Sequence, residues 1–541
     1  MNKKKLLPIL CFLSLVPLSS CFFFWPIDLL PGKKTDTETP DTGKSYTTYK
    51  TPNYPSNATK DNLNKDTLGL GYDQRYLPST GDRKILVIPI ETSDDSFTKD
   101  EITRIEKGFF GESSETGWES VASFYEKSSY GKLRITGEVS PIVRINQTTD
   151  QAEAQAKNYD KKNMTYTDAI LKSALSAISD SVDLSEYDTD GDGYLDAVWM
   201  VYSPRYNSSS DFYWAYTTWS EDDSSFSGKK ACCYAWASVD FLTQKKYTAS
   251  IFDMKYLADS HTFIHETGHM LGLDDYYSYD YEYSKKNPDG NADTPVGGVD
   301  MMDFNIGDHD SYSKYLLGWL SPTVITEQYL QANDYSLTLR SQNRFGEAFL
   351  VPVYNGNKAL YNGTPYDEYL LIEYYTPDGL NEQDSEELYT NNLSTYQKSG
   401  VLVYHVNATV GKLLPESSKS IVWDGCAYDK LPPYSSAWGY EYLYSLIYSN
   451  TYSRSYDPDL KDTNLSYYRG RLISLLPATG RRINGSKTGF ADNDVLYQVG
   501  TTFGGTHTYS DFCFDDGNPL AYSFTVSSTS DKDCVLKFSS L

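Results

Sequence analysis

The segment His265-Glu266-Thr267-Gly268-His269 sets two imidazoles four residues apart, with a carboxylate beside the first. On an α-helix a four-residue step rises about 6 Å and completes nearly one turn, so both rings leave one face. Two imidazoles so placed can hold one Zn²⁺ at about 2.0–2.1 Å. Glu266 then points beside the metal rather than at it. There it can take a proton from the water that the metal activates and pass it to a leaving amine. With only 6 His in 541 residues, a chance H-E-x-x-H is expected in well under roughly one such sequence in a hundred. The competing reading is a surface helix that carries two histidines. Gly272, three residues beyond His269, can end the helix in a left-handed turn and let the chain double back, so that Asp275 returns toward the metal. His261 lies one turn before His265 and could pair with it, but no acid follows it. It reads as a residue behind the ligands or facing solvent.

A second group of oxygens lies upstream. In the string from Asp188 to Trp199, Asp188, Asp190, Asp192 and Asp196 stand where a Ca²⁺ loop needs alternate ligands, and Gly193 can supply the sharp turn. Trp199 occupies the place of an EF-hand's bidentate Glu. A structural Ca²⁺ site and a plain Asp-rich turn are therefore both open readings.

The longer string H-E-T-G-H-M-L-G-L-D-D-Y-Y at His265–Tyr277 resembles the immune inhibitor A family of secreted bacterial zinc metallopeptidases, which are metzincin-like. The resemblance implies Asp275 as the third zinc ligand, with Asp274 the alternative one residue away. It continues in G-G-V-D-M-M-D-F-N-I-G-D-H-D-S-Y-S-K-Y-L-L-G-W-L at Gly297–Leu320, similar to the family's Met-bearing turn beneath the metal and the Lys-x-x-x-Gly-Trp stretch after it. Met302 takes the place of the turn residue. Many related zinc peptidases have an oxyanion-stabilising Tyr two positions after that Met; here the position is Phe304. His309 and Tyr312 are the remaining candidates for that role, against a reading in which both only line the wall. S-S-Y-G-K-L-R-I-T-G at Ser128–Gly137 and the Asp188–Trp199 string also look like the family's first half. The likeness spans roughly residues 84 to 320 and is looser beyond.

These groups need a frame. Lys84–Ile90 reads as a buried strand, followed by a helix opened by Thr98 and Glu101 in a capping-box arrangement. Trp118, Val121 and Tyr125 stand at helical spacing, Leu133–Val139 reads as a strand, Leu171, Leu175 and Ile178 share a helix face, and Ala197–Tyr202 is again a strand. Such alternation predicts an α/β or α+β unit, and the resemblance implies that it is an α+β zincin-type catalytic domain over 81–322, a mixed sheet plus the zinc-binding helix. Beyond Pro322 the pattern changes to short alternating runs such as Tyr369–Tyr375 and Val401–Val406, bounded by Gly, Asn, Asp and Pro. That predicts a β-rich, sandwich-like accessory domain over 323–541.

Composition sets the remaining bounds. The formal net charge of -25 repels phosphate backbones, so nucleic acid is excluded as a partner. The surplus of carboxylates suits surroundings rich in Ca²⁺. With 49 Tyr against 22 Phe, the aromatic content suits half-wet strand faces. Lys3, Lys4 and Lys5 precede an apolar run from Leu6 to Leu18 and then Ser19, Ser20 and Cys21, which reads as an export signal over 1–20. The L-S-S-C ending resembles the lipobox of bacterial lipoproteins. It implies a lipid on Cys21 and a chain tethered to the outer face of a bacterial membrane, with an ordinary cleaved signal or an uncleaved apolar anchor as alternatives. Residues 21–80 have the composition of a solvated stalk. Of 7 Cys, none shows C-x-x-C spacing, and Cys513 with Cys534 forms the best-placed pair for a disulfide. The reading that joins these parts is a surface-anchored zinc endopeptidase acting on protein substrates. Its rivals are a zinc hydrolase with a non-peptide substrate and a surface adhesin on the same fold, and the general base at Glu266 speaks against the adhesin.

Overall fold

The computed structural model describes residues 76–159, 165–206, 212–220, 222–243, 258–277, 294–304, 306–326, 335–356, 358–386, 396–408, 450, 471–480, 491–514 and 518–541. Four short strands between 411 and 443 are described in backbone only. The export signal, Cys21 and nearly all of the stalk lie outside the described residues. Among those described, no helix is long and apolar enough to cross a membrane.

The first half is built on a sheet whose central strands are apolar on both sides. Strand β1 (Gly81–Glu91) lies between β2 (Leu133–Val139) and β3 (Ala197–Tyr202), parallel to both. Next to β3 runs β5 (Cys233–Ser238), again parallel, and β4 (Tyr216–Trp219) closes this edge antiparallel to β5. Val143–Arg144 pairs with the end of β1 as a sixth strand. Because side chains alternate along a strand, β1 sends Ile85 and Val87 to one face and Leu86, Ile88 and Ile90 to the other. One face packs against helices α1 (Lys99–Phe110), α2 (Val121–Ser128) and α4 (His261–Met270), which contribute Ile105, Phe109, Phe124, Tyr125, Phe263 and Ile264. The other packs against α3 (Thr165–Ile178) through Ile170, Leu171, Ala174, Leu175 and Ile178. This is a mixed α/β arrangement with several sheets, and the strands and helices read from the sequence fall where expected. Thr98 and Glu101 form the reciprocal capping box. Ser120 caps α2, so Trp118 lies just before that helix rather than in it.

Besides the small sheet formed by the four strands between 411 and 443, the second half holds two larger sheets. Tyr335–Arg340, Asp533–Ser540, Tyr522–Thr529 and Thr502–Phe503 make one of four strands. The other contains Lys358–Leu360, β6 (Phe349–Asn355), β7 (Glu368–Tyr375), β8 (Gly400–Asn407) and β9 (Ile473–Leu475), with Thr323–Val324 alongside β6. Leu370, Ile372 and Tyr374 of β7 face an apolar cluster shared with Phe524, Leu536 and Phe538 of the four-stranded sheet. Tyr369, Leu371 and Tyr375 face the cluster that also contains Phe263 and Ile264 of α4. The expected Cys513–Cys534 bridge is not formed. Cys534 is a buried free thiol in the middle of a ladder, opposite Leu339 on one side and Thr529 on the other. Cys513 pairs instead through its backbone with Pro519.

The two halves also meet through charge. Glu373 of β7, 4% exposed, accepts hydrogen bonds from the Ser311 N–H at 2.8 Å and the Ser311 hydroxyl at 2.5 Å, at the start of α5 (Ser311–Leu316). Burial outweighs these bonds and pushes its carboxyl up to about 7. The native chain thus holds this proton longer than the unfolded one. The stability gained is complete below the unfolded value of 4.5 and is lost as pH rises through about 7. Glu373→Gln removes the titration, so the melting temperature of the wild type relative to this variant should fall between these pH values. Thermal melts at fixed ionic strength check it; a constant difference would show that Glu373 does not titrate there.

Candidate metal centre

Helix α4 leaves a turn at Ser260, whose hydroxyl donates to the Gly108 carbonyl at 3.0 Å and ties the helix start to α1. Its buried side is fixed by Phe263, whose ring lies 4.9 Å from that of Trp199 and 5.2 Å from that of Phe109. Trp199 Nε1 donates to the Thr267 hydroxyl at 3.2 Å, and that hydroxyl donates to the Phe263 carbonyl at 2.7 Å. With this face locked, His265 and His269 project from the opposite side, 13% and 14% exposed.

After Met270 the chain turns back through Gly272, whose φ of 95° is in the left-handed region that favours glycine. The return brings the Asp275 carboxylate, fully buried, against both rings. Its Oδ1 lies 3.1 Å from His265 Nε2 and 3.4 Å from His269 Nε2. The ligand atoms of His265, His269 and Asp275 all lie within 4.8 Å of one another. Of the two adjacent acids it is Asp275 that meets the histidines. Burial and the charge of Asp275 push the Asp274 carboxyl up to about 7. His261 opens the helix and stands outside this cluster.

The hydrogen bonds behind the rings decide what the cluster can hold. His265 Nδ1 lies 2.7 Å from the Met301 carbonyl, and His269 Nδ1 lies 2.8 Å from the Leu273 carbonyl. A carbonyl only accepts, so each Nδ1 carries the proton, and a neutral ring then turns its Nε2 lone pair toward the Asp275 oxygen. Three acceptors facing one another, one of them fully buried and two largely shielded from water, repel unless a cation lies among them. A proton is one answer: burial opposes it, yet the Asp275 carboxylate lifts His269 to about 10 and raises His265 as well. Burial likewise opposes the Asp275 charge, but the two histidines hold that carboxyl well below its usual range. A dication is the other answer, and the spacing fits it. Four ligands at 2.0–2.1 Å from a tetrahedral Zn²⁺ stand about 3.3 Å apart, between the two distances observed here.

Glu266, 1% exposed, is held off this cluster by Thr217 of the edge strand β4. The Thr217 hydroxyl lies 2.9 Å from Glu266 Oε2 and 2.9 Å from the Glu266 carbonyl. Met302 lies beneath the helix: a Cβ at Gly268 would stand 2.4 Å from its sulfur. The turn that bears Met302 hangs on Asp300, which accepts from the Met302 N–H at 2.7 Å and the Asp310 N–H at 2.6 Å. His309 is buried, its ring centred 5.5 Å from that of Phe124 and its Nδ1 3.4 Å from Asp300. Tyr312 is buried too, its ring 6.3 Å from that of Tyr276. Thr217 and Asp300 carry no signal of their own in the sequence: one is a Thr in a short strand, the other an Asp whose two closest partners are main-chain N–H groups.

In the upstream loop Asp188, Asp190 and Asp192 do come together. Asp196 does not join them; it turns back to accept from the Thr189 N–H at 3.0 Å and the Lys84 N–H at 3.3 Å. Lys229 reaches Asp188 at 2.5 Å. Although burial resists it, Lys229 and the Gly193 N–H hold the Asp188 carboxyl below its usual value.

No protein-family model matches this chain, and no curated protein matches it. Among solved structures, that of wild-type OgpA from Akkermansia muciniphila aligns at 13% identity over 57% of this chain and 76% of that one. Its TM-score of 0.22 carries no argument about fold or activity.

The contact between Gly268 and Met302 can be tested directly. Gly268→Ala should cost about 1–3 kcal/mol of stability, as overpacking does. Adding Met302→Ala should relieve part of that loss in denaturant unfolding. Strictly additive losses would show that the sulfur is not what excludes the extra methyl.

Proposed function

We propose that this chain is a zinc-dependent endopeptidase, with the metal held by His265, His269 and Asp275 and with Glu266 as the general base. The observation that carries this reading is the convergence of two Nδ1-protonated imidazoles and a buried carboxylate at the spacing of tetrahedral ligands. A bound Zn²⁺ supplies Lewis-acid polarisation of the scissile carbonyl and lowers the pKa of water. The chain's own groups do the rest. Glu266 takes the proton of the attacking water and returns it to the leaving amine. Thr217 keeps that carboxylate beside the ligands. The carbonyls of Met301 and Leu273 fix both rings in the tautomer that offers Nε2.

The resemblance of His265–Tyr277 and Gly297–Leu320 to the immune inhibitor A family supports the peptidase over a non-peptide hydrolase. It also favours a zincin-type reading of the first half. The apolar cluster common to two sheets supports a sandwich-like second half. The L-S-S-C at Cys21 supports an enzyme tethered outside the cell. Incubating the purified protein with casein, with and without a chelator, tests the activity; turnover that survives chelation removes the proposal.

Mutants should separate the roles. Glu266→Ala should keep zinc near one per chain while activity falls about a hundredfold or more, the scale for losing a general base. Asp275→Ala should lose zinc and activity together, and Asp274→Ala should spare both. Metal analysis beside kinetics reads this out. The reverse result for the two aspartates would move the ligand by one residue.

A structural Ca²⁺ in the Asp188–Asp192 loop is the second element of the reading, favoured by the three convergent carboxylates. Added Ca²⁺ should then raise the melting temperature. An Asp190→Ala, Asp192→Ala variant that responds like the parent would exclude this loop.

A further inference from the structure

Helix α4 positions two corners of the metal centre by itself, but the third depends on what holds the peptide around Asp275. That peptide is gripped from two directions. From below, the Tyr276 N–H donates to the Met302 carbonyl at 2.8 Å. From the far side comes Asn450, fully buried and 174 residues from Tyr276 in sequence. Its backbone N–H donates to the Asp275 carbonyl at 2.8 Å. Its Nδ2 donates to the Tyr276 carbonyl at 3.1 Å and to the Ile473 carbonyl at 2.6 Å, while its Oδ1 accepts from the Ile473 N–H at 3.3 Å. Its carbonyl accepts from the buried guanidinium of Arg471 at 3.0 Å. Both amide protons and the amide oxygen are engaged, so the side chain has one orientation. Ile473 belongs to β9, which is paired to β8 at Val406. The same edge is joined to the segment before the Met302 turn, where the Leu475 N–H donates to the Pro295 carbonyl at 2.9 Å and the Ala491 N–H to the Gly297 carbonyl at 2.8 Å.

We propose that Asn450 is a positioning residue of the metal centre, which clamps the backbone of the third ligand to the edge of the second half's sheet. The inference rests on the reading that His265, His269 and Asp275 bind zinc. Without the amide, the Tyr276 and Ile473 carbonyls lose buried donors, and the Asp275 carbonyl keeps only the main-chain N–H of a residue no longer tied to Ile473 by its side chain. Ligands are aimed by the groups behind them, and the loss of such a group weakens metal binding about 10- to 100-fold.

The test is zinc titration of the full-length protein against a chromophoric chelator. Asn450→Ala should bind zinc about 10- to 100-fold more weakly than the wild type. Val403→Ala, a cavity in the core of the same sheet, should lower the melting temperature yet keep zinc affinity within about twofold, because it touches no group behind a ligand. Equal affinities of wild type and Asn450→Ala, or an equal loss in Val403→Ala, overturn the proposal. A wild-type chain that takes up no zinc overturns the metal reading, and this inference with it. Should Asn450→Ala fail to fold, hydrogen exchange on the wild type decides the matter. Zinc should slow exchange of the Asn450 and Ile473 amides together with that of Tyr276; protection confined to Tyr276 overturns the clamp.

Discussion

The buried contact of the Asp275 carboxylate oxygen with two imidazole nitrogens sets the terms for the rest of the structure. Acceptors do not gather in a dry interior without a cation among them, and they do not stay aligned unless each is held from behind. The second condition is met by main-chain carbonyls. Met301 and Leu273 hold the rings. They are placed in turn by the Met302 turn and by the left-handed step at Gly272, whose N–H bonds back to the His269 carbonyl. The sheet and its flanking helices serve this arrangement: β3 supplies Trp199 to lock the inner side of α4, and β4 supplies Thr217 to hold Glu266.

A second chain of contacts runs beneath the histidines. Lys314, fully buried, donates to Asp308 at 2.5 Å and lies 4.5 Å over the Tyr130 ring. Asp308 accepts from the Ser128 hydroxyl at 2.6 Å. Lys132 reaches the Trp319 carbonyl at 2.6 Å. The strings around Ser128–Gly137 and Lys314–Trp319 are therefore two sides of one interface. A buried charge of this kind is worth little net stability, but breaking it leaves its partner uncompensated, so it fixes register more than it adds strength.

Much of the first half was legible in the sequence because its signals are local. The apolar run at Lys84–Ile90 can only be a strand buried on both faces, Thr98 with Glu101 is a helix start wherever it occurs, and the i, i+4 histidines fix their own geometry. The position of Asp275 was approached through the glycine turn and the resemblance, and the fold brings that carboxylate to the rings. The supporting groups were not legible. Thr217, Asp300 and Asn450 act through main-chain groups or through residues far along the chain, and no spacing marks them. Cysteine spacing misled for a related reason: Cys534 is spoken for by its strand neighbours, which only the ladder reveals. In the acidic loop, alternation suggested four oxygens, whereas Asp196 is drawn away by Thr189 and Lys84.

Strand β7 has buried side chains on both faces, one facing the four-stranded sheet and the other the cluster that contains α4. A layer shared in this way makes the two halves poor modules. Neither can be cut out, swapped for a homologous piece or recombined at residue 322 without laying bare the apolar flank of the other. Any natural or engineered rearrangement of this chain must carry β7 with the helix whose packing it completes.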